Sequence, residues 1–236
     1  MQSERGPAPP VEADAPGRIP ARVALVLLQA VRDNDRPGEV LNDEDLTVTL
    51  PRRLGLSEVV DSQIRRYEQD VRRRRRVPEG EVRDLIRLVT RRADSESLFR
   101  GVGRTLGVME GGGTGLGRVL PRSAGFALAR RAIVRRLRTL FGPGFVASVS
   151  APFEIEAANN VLLDGDPGGE ACALVTGLSQ AILDRSVRPG VVVEHVHCRA
   201  RGHERCAWHA REDLAATVSG SVTMSSTEDG NGGRRR

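Results

Sequence analysis

The sequence predicts an α+β fold, in which an N-terminal helical part is followed by an antiparallel sheet with packed helices and a C-terminal hairpin. Three observations predict it. Apolar residues recur at helical spacing up to about residue 110, an alternating strand pattern appears at 153–157, and residues 191–210 read as two strands around a turn. An order of helix, strand, strand, helix and hairpin is typical of an α+β domain.

The N-terminal part contains four predicted helices. The first covers residues 20–33, the second begins after an N-cap at Ser57, the third follows a break at Pro78, and the fourth starts near Ser95. Their apolar stripes recur every three or four residues: Val60, Ile64, Tyr67 and Val71 in the second, Val82, Leu85, Ile86 and Val89 in the third, and Leu98, Val102 and Leu106 in the fourth.

The C-terminal part changes its period. An amphipathic helix is predicted from Ser123 to Leu140, and Phe153, Ile155 and Ala157 then alternate with glutamates, as in a half-buried strand. The turn DGDPGG at 164–169 leads into a helix over residues 170–183. Strands are predicted at 191–198 and 206–210, with Gly202 in the turn between them.

Composition divides the chain into five segments. Residues 1–19 and 219–236 are polar and poor in apolar side chains, so we expect disordered tails. The glycine-rich segment 111–117 predicts a linker between the helical region 20–110 and a second domain at 118–213. A segment resembling a phosphate loop (112–119) has Arg118 where lysine is needed, and we interpret it as part of this linker.

The chain of 236 residues is 39% hydrophobic but only 3% aromatic. A core can be buried, yet an aromatic platform for stacking nucleobases is nearly excluded. All 36 basic residues are arginine and the net charge is only +5, so the isoelectric point near 10.2 reflects arginine usage more than nucleic-acid binding. The run 72–76 is interpreted as a solvated end of the second helix.

Charge is also segregated within the C-terminal part. Residues 111–141 carry seven arginines and no acidic residue, whereas residues 142–198 carry seven acidic residues and two arginines. This pattern predicts that the arginine helix lies over or beside an acidic sheet edge, or meets the same surface of a second subunit in a homo-oligomer.

The N-terminal segment has no apolar stretch typical of a secretory signal, and the run 23–28 is too short to cross a membrane. We therefore expect a cytoplasmic protein with no membrane partner. In a reducing compartment, cysteines are thiols or metal ligands more often than disulfides.

All three cysteines and all four histidines lie between residues 172 and 209. A hairpin would bring Cys198 and Cys206 together, and Cys172, at the start of the preceding helix, can reach the same point. His195 is the best-placed fourth ligand of a tetrahedral site, with Glu194, His197, His203 and His209 as competitors. His195 and Cys198 have opposite strand parity, so the strand must bulge or end before Cys198.

Three thiolates and one imidazole predict a structural zinc site that ties the helix to the hairpin, because no position is left open for water. The alternative for each cysteine is that it binds no metal and is buried simply as a small apolar side chain. Every histidine lies within this cluster, so no Ser-His-Asp arrangement can be assembled and a non-catalytic role is favoured.

The runs VVVEHVHCRARGHERCAW and GGEACALVTG resemble the C-terminal half of the 4-vinyl reductase domain, a hydrocarbon-binding module of aromatic-responsive bacterial regulators. The resemblance covers about residues 118–213. Metal-binding members have a helix cysteine, about 22 intervening residues, Glu-x-x-Cys and a last cysteine after seven more. Four residues stand in that register, with histidine where the family more often has glutamate: Cys172, His195, Cys198 and Cys206.

The resemblance implies a sensor or carrier domain with a structural zinc ion and a pocket for a small apolar or aromatic molecule. Candidate lining residues are Phe126, Phe145, Phe153 and Leu174. The family's phenol-sensing members share a His and a Trp that this chain lacks at the matching places, since Trp208 follows the last cysteine. Two alternatives stay open: an accessory factor or enzyme of tetrapyrrole pigment synthesis, and a protein-interaction module without a ligand.

Overall fold

The structure is a computed structural model that describes residues 17–35, 58–109, 120–157, 161–187 and 190–212. The α+β class predicted from the sequence is confirmed. The predicted linker at 111–117, the C-terminal tail at 219–236 and the N-cap at Ser57 lie outside the described residues.

Four helices form the N-terminal part, close to where the apolar periodicity predicts them. They are α1 (Ala21–Asn34), α2 (Glu58–Arg72), α3 (Glu79–Thr90) and α4 (Ser95–Val108). Their stripes point into the core: Ile64, Val82, Ile86, Val102 and Leu106 are all at most 3% exposed.

A short two-stranded antiparallel sheet joins the start of the described chain to the loop after α2. Strand β1 (Arg18–Pro20) pairs with β2 (Arg76–Pro78), and Ile19 and Val77 are buried opposite each other. This pairing corrects two predictions. The N-terminal tail ends before Arg18, and the arginine run does not stay helical, because the chain turns at Arg74, whose φ is +53°, and enters β2. Burial of the two apolar residues outweighs the polar character of both segments.

A helix and a four-stranded antiparallel sheet follow. After α5 (Arg122–Phe141), the sheet has the order β3-β4-β6-β5. Its strands are β3 (Val146–Ser150), β4 (Glu154–Ala157), β5 (Val191–His197) and β6 (Cys206–Glu212). The alternation found in the sequence places Ile155 and Ala157 in the core, fully buried, with the intervening glutamate at the surface.

Between β4 and β5 the chain forms α6 (Val161–Gly165), a 3₁₀ turn at Glu170–Cys172, and α7 (Ala173–Ser186). Helix α7 is buried on nearly all sides. It packs on α4 at so short a distance that a Cβ on Gly103 would lie 2.0 Å from the carbonyl oxygen of Leu174, and one on Gly177 would lie 2.0 Å from that of Arg100. Glycine at both positions lets the two backbones touch.

This contact joins the two regions that the sequence divides at the glycine-rich segment. Side chains from α1 to α4, α5, α7 and the four-stranded sheet belong to one continuous hydrophobic cluster. The helical region therefore belongs to the same core as the sheet. It packs directly on α7 through helix α4. Within the described ranges, none of the helices has both the length and the apolar character needed to cross a bilayer.

Candidate metal centre

The loop before α7 is organised by a buried carboxylate. Asp166 is 2% exposed and accepts hydrogen bonds from the backbone N–H groups of Gly168, at 3.0 Å, and Ala171. Such a side chain replaces the backbone partners that a tight turn lacks. The loop then continues through Gly169, which has a φ of +82°, into the 3₁₀ turn that carries Cys172.

Three buried sulfurs meet where this turn touches the hairpin. Cys172 and Cys206 are both fully buried, with their Sγ atoms 3.9 Å apart, and Cys198 is 3% exposed. One ligand atom from each of these cysteines and one from His195 lie within 4.8 Å of one another. Bonds of about 2.3 Å to a tetrahedral zinc ion hold two sulfurs about 3.8 Å apart, so the observed sulfur separation fits such an ion.

His195 reaches the sulfurs because strand β5 is irregular. The pairing register between β5 and β6 shifts between His195 and His197, and the strand ends at His197. The strand therefore bulges and ends before Cys198, as the opposite parity of the two residues requires. The imidazole stacks on the buried indole of Trp208, with ring centroids 4.8 Å apart and planes 15° apart.

The Nε2 atom of His195 is buried and has no hydrogen-bond partner among the described residues. A buried nitrogen without a partner costs free energy, and a bound metal ion satisfies it. The donor set of three sulfurs and one imidazole is also the one that suits a soft or borderline ion such as zinc.

The four competing ligands lie elsewhere. Glu194 pairs with Arg211, and Nε2 of His209 lies 2.9 Å from a carboxylate oxygen of Glu154. The rings of His197 and His203 contact each other, with centroids 4.6 Å apart. Of the histidines, only His195 belongs to the cluster found among the described residues.

Burial governs the protonation of the Cys198 thiol. It raises the pKa of Cys198, the neighbouring Cys206 raises it further, and the backbone N–H of Ala200 partly offsets the increase. A second N–H group, that of Arg199, lies 3.4 Å from Sγ of Cys206 and can donate to it. Such N–H groups stabilise thiolate charge, while a bound cation removes most of the cost of burying it.

The candidate ligand-pocket residues are mostly core residues. Phe145, Phe153 and Leu174 are at most 2% exposed, and Phe126 is partly buried against the same core. The backbone carbonyl of Leu174 faces Gly103 at the contact between α4 and α7. Phe145 stacks near Phe141, with centroids 4.9 Å apart, and borders a surface depression.

Sequence reasoning did not single out three residues that support the centre: Asp166, Gly169 and, as a partner of His195, Trp208. An aspartate two residues before a glycine, as in DGDPGG, is the sequence signal of a turn closed by a side chain, and it could have indicated Asp166. Nothing in the sequence places Gly169 against a sulfur or Trp208 against an imidazole, because both contacts join distant segments.

No protein-family model, no curated protein and no solved structure matches this chain.

Proposed function

We propose that Cys172, His195, Cys198 and Cys206 bind one structural zinc ion, which fastens the start of α7 to the β5–β6 hairpin. The cluster of four ligand atoms within 4.8 Å carries this proposal. We assign Nε2 as the ligand atom of His195, because it is buried without another partner among the described residues.

A zinc ion bound by these residues supplies cross-linking and charge compensation. Four protein ligands fill a tetrahedral zinc site, whereas a catalytic zinc keeps a position for water. The chain's own residues do the rest: Asp166 holds the turn that presents Cys172, and Trp208 fixes the ring plane of His195. The site favours a binding role over catalysis.

We further propose that the domain is a sensor or carrier of the 4-vinyl reductase type, working in a reducing compartment such as the cytoplasm, and that it binds a small hydrophobic molecule. The spacing of the four ligands, which matches the register of that family, supports this proposal. A zinc ion that joins the β5–β6 hairpin to α7 would stabilise the domain around a ligand site.

A protein-interaction module without a ligand is the second candidate. It is favoured by the burial of Phe145, Phe153 and Leu174, whose side chains fill the core where the sequence suggested a cavity. The two candidates share the zinc site and differ in whether an apolar molecule can enter.

Elemental analysis tests the metal. We expect one zinc per chain in protein purified under reducing conditions. Cys206→Ser should abolish the stoichiometric zinc and lower the free energy of unfolding by about 3 kcal/mol or more. The matched control is Ser179→Ala, which changes a fully buried side chain in α7 and should keep the zinc. Metal-free wild-type protein that melts at the same temperature as the purified form would contradict a structural zinc.

Thermal shift with a panel of apolar and aromatic molecules tests the ligand. A molecule at about 100 times its dissociation constant adds about 2.7 kcal/mol to the free energy of unfolding, which is a readily measured shift. A shift in wild type that is lost in Phe153→Ala but kept in Leu88→Ala, an exposed position on α3, supports a carrier or sensor. No shift with any compound, in protein that holds its zinc, selects the interaction module.

A further inference from the structure

A groove between α5 and the end of β3 is lined by arginines. Its volume is about 620 Å³, which lies within the range of small-molecule sites. Its lining includes the apolar side chains of Val134 and Val149. Five guanidinium groups surround it, and its lining contains no acidic residue: Arg76, Arg130, Arg131, Arg135 and Arg138.

Three of the seven acidic residues that the sequence suggested as partners lie in the sheet, and each has a partner there or in the turn before β6. Glu154 contacts His209, Glu156 contacts Arg205, and Glu194 contacts Arg211. The expectation that the arginine helix is neutralised by an acidic sheet edge is therefore wrong for these glutamates. Arg205 and Arg211 compensate the charges of Glu156 and Glu194, Glu154 is within hydrogen-bond distance of His209, and the arginines of α5 take no part in these contacts.

Three arginines of α5 have no carboxylate partner among the described residues: Arg131, Arg135 and Arg138. A fourth, Arg130, donates from Nη1 to the backbone carbonyls of Ser150 and Pro152, at 3.0 and 3.1 Å, which ties α5 to the end of β3. The lining also includes Arg76, which the β1–β2 sheet holds through a hydrogen bond from its Nε to the carbonyl of Arg18, at 3.1 Å.

Two further arginines, Arg22 and Arg136, interact with the positive charges that line the groove. Burial lowers the pKa of Arg136, and the charge of Arg135 lowers it further. Burial likewise lowers the pKa of Arg22, with added repulsion from Arg136 and Arg76. An anion that enters the groove lowers the repulsion among Arg131, Arg135 and Arg138, which have no carboxylate partner among the described residues.

We propose that this groove is a binding site for a small organic phosphate, with a phosphate or diphosphate group held by Arg131 and Arg135 and a short hydrocarbon part resting on Val134 and Val149. Guanidinium groups match phosphate oxygens through paired hydrogen bonds. Because several guanidinium groups line the groove, an anion with more than one negative charge fits it better than a monovalent one. The lining offers no aromatic ring, so a nucleobase would find no stacking surface.

None of the lining residues is a ligand of the metal centre, so the inference does not depend on zinc or on an apolar ligand elsewhere. The sequence alone disfavoured a polyanion, because it suggested that the arginines of α5 would be neutralised within the protein or by a second copy. Because the sheet glutamates do not pair with these arginines, the arginines remain available to an anion.

Isothermal titration calorimetry on the full chain, at near-physiological ionic strength, tests the site with three probes: inorganic pyrophosphate, geranyl diphosphate and geraniol. We expect one site per chain for both phosphates and no binding of geraniol. We expect geranyl diphosphate to bind more tightly than pyrophosphate, because its hydrocarbon part adds contacts with Val134 and Val149. Equal or weaker binding of geranyl diphosphate would overturn the organic part of the proposal and leave a site for inorganic phosphate alone.

The double substitution Arg131→Gln with Arg135→Gln should weaken both phosphates by about tenfold or more, since each charge-assisted hydrogen bond contributes substantially to affinity. The matched control is Arg65→Gln with Arg104→Gln, two exposed arginines on α2 and α4, which should leave both affinities nearly unchanged. All four substituted positions in the two variants are at least partly solvent-exposed, and circular dichroism verifies that each variant is folded.

Any of the following results would overturn the proposal: no binding of pyrophosphate, an equal loss in the control variant, geraniol binding as tightly as its diphosphate, or tighter binding of a single-stranded oligonucleotide than of either phosphate. The last would identify a nucleic-acid surface. A dimer that dissociates when Arg131 and Arg135 are replaced would also overturn it, because a second copy would then occupy the groove.

Discussion

Gly169 lies against the sulfur of Cys198, so closely that a Cβ added at Gly169 would come within 2.5 Å of that Sγ atom. The two residues belong to different segments, the loop before α7 and the end of β5. Their contact shows that the loop and the hairpin are packed backbone against sulfur, with no space for a side chain between them. The geometry of the candidate metal centre thus depends on Gly169, which is not itself one of the four candidate ligands.

Gly169→Ala should therefore weaken metal binding. The new methyl group displaces Sγ of Cys198, in addition to the strain that alanine suffers at a φ of +82°. Gly202→Ala is the control, because Gly202 has a φ of +93° and open space around it, so it carries the strain of about 1 kcal/mol without the displacement. Competition with a chromophoric zinc chelator measures both; equal affinities in the two variants would refute the role of the contact.

The approach of α4 to α7 makes a second prediction. Gly103→Ala and Gly177→Ala each place a methyl group 2.0 Å from a backbone oxygen of the other helix, so one helix must move. We expect each substitution to lower the free energy of unfolding by about 3 kcal/mol or more.

Gly101→Ala supplies the contrast, since nothing lies within 4 Å of its added Cβ on the same helix. Alanine is the better helix former, so this variant should be more stable than wild type by about 0.5–1 kcal/mol. Urea denaturation at constant protein concentration measures all three. A stable Gly103→Ala protein would mean that the helices are not in backbone contact.

Asp166→Asn should disturb the metal centre without touching a ligand. The amide keeps one acceptor oxygen but turns an N–H group toward a backbone N–H, so one of the two hydrogen bonds is lost inside the protein. The expected loss of stability is about 1–3 kcal/mol, together with weaker zinc binding. Asp164→Asn, at an exposed position in the preceding helix α6, should change stability by less than about 1 kcal/mol.

The acidic sheet face makes a prediction about pH. The hydroxyl of Ser148 and then the guanidinium of Arg205 lower the pKa of Glu156 below its ordinary value of 4.5. The carboxylate therefore contributes stability that is present above the ordinary pKa and is lost as the pH falls through the lowered one. Glu156→Gln should show a smaller loss of stability than wild type when the urea midpoint is followed from neutral pH downward.

Glu96→Gln is the control for that titration, because Glu96 pairs only across one helix turn with Arg100 and its side chain is 60% exposed. Any metal ion held by the Cys172–His195–Cys198–Cys206 cluster leaves both variants alike in acid, because protonation of its ligands releases it, and the comparison of the two variants cancels this common effect. Parallel curves for Glu156→Gln and wild type would show that the Ser148–Glu156–Arg205 contacts do not stabilise the sheet.

Much of the architecture was predictable from local pattern. The stripes Val82–Val89 and Leu98–Leu106 locate α3 and α4, because the buried face of an amphipathic helix carries an apolar residue every three or four positions. The alternation at Phe153–Ala157 locates β4 for the same reason, with a period of two. Strands β1 and β2 were missed, because each has three residues, too few to show any period.

The sequence by itself determined the class of fold, the positions of most helices and strands, and the three cysteines that can hold a metal ion, with His195 as the best placed of several fourth ligands, because periodicity and residue chemistry are local properties. Tertiary structure decided the rest. It decided that His195 rather than its neighbours joins the sulfurs, through a bulge in β5, and that the helical region shares one core with the sheet. It also left the arginines of α5 around a groove without acidic residues, since pairing depends on which distant side chains meet in space.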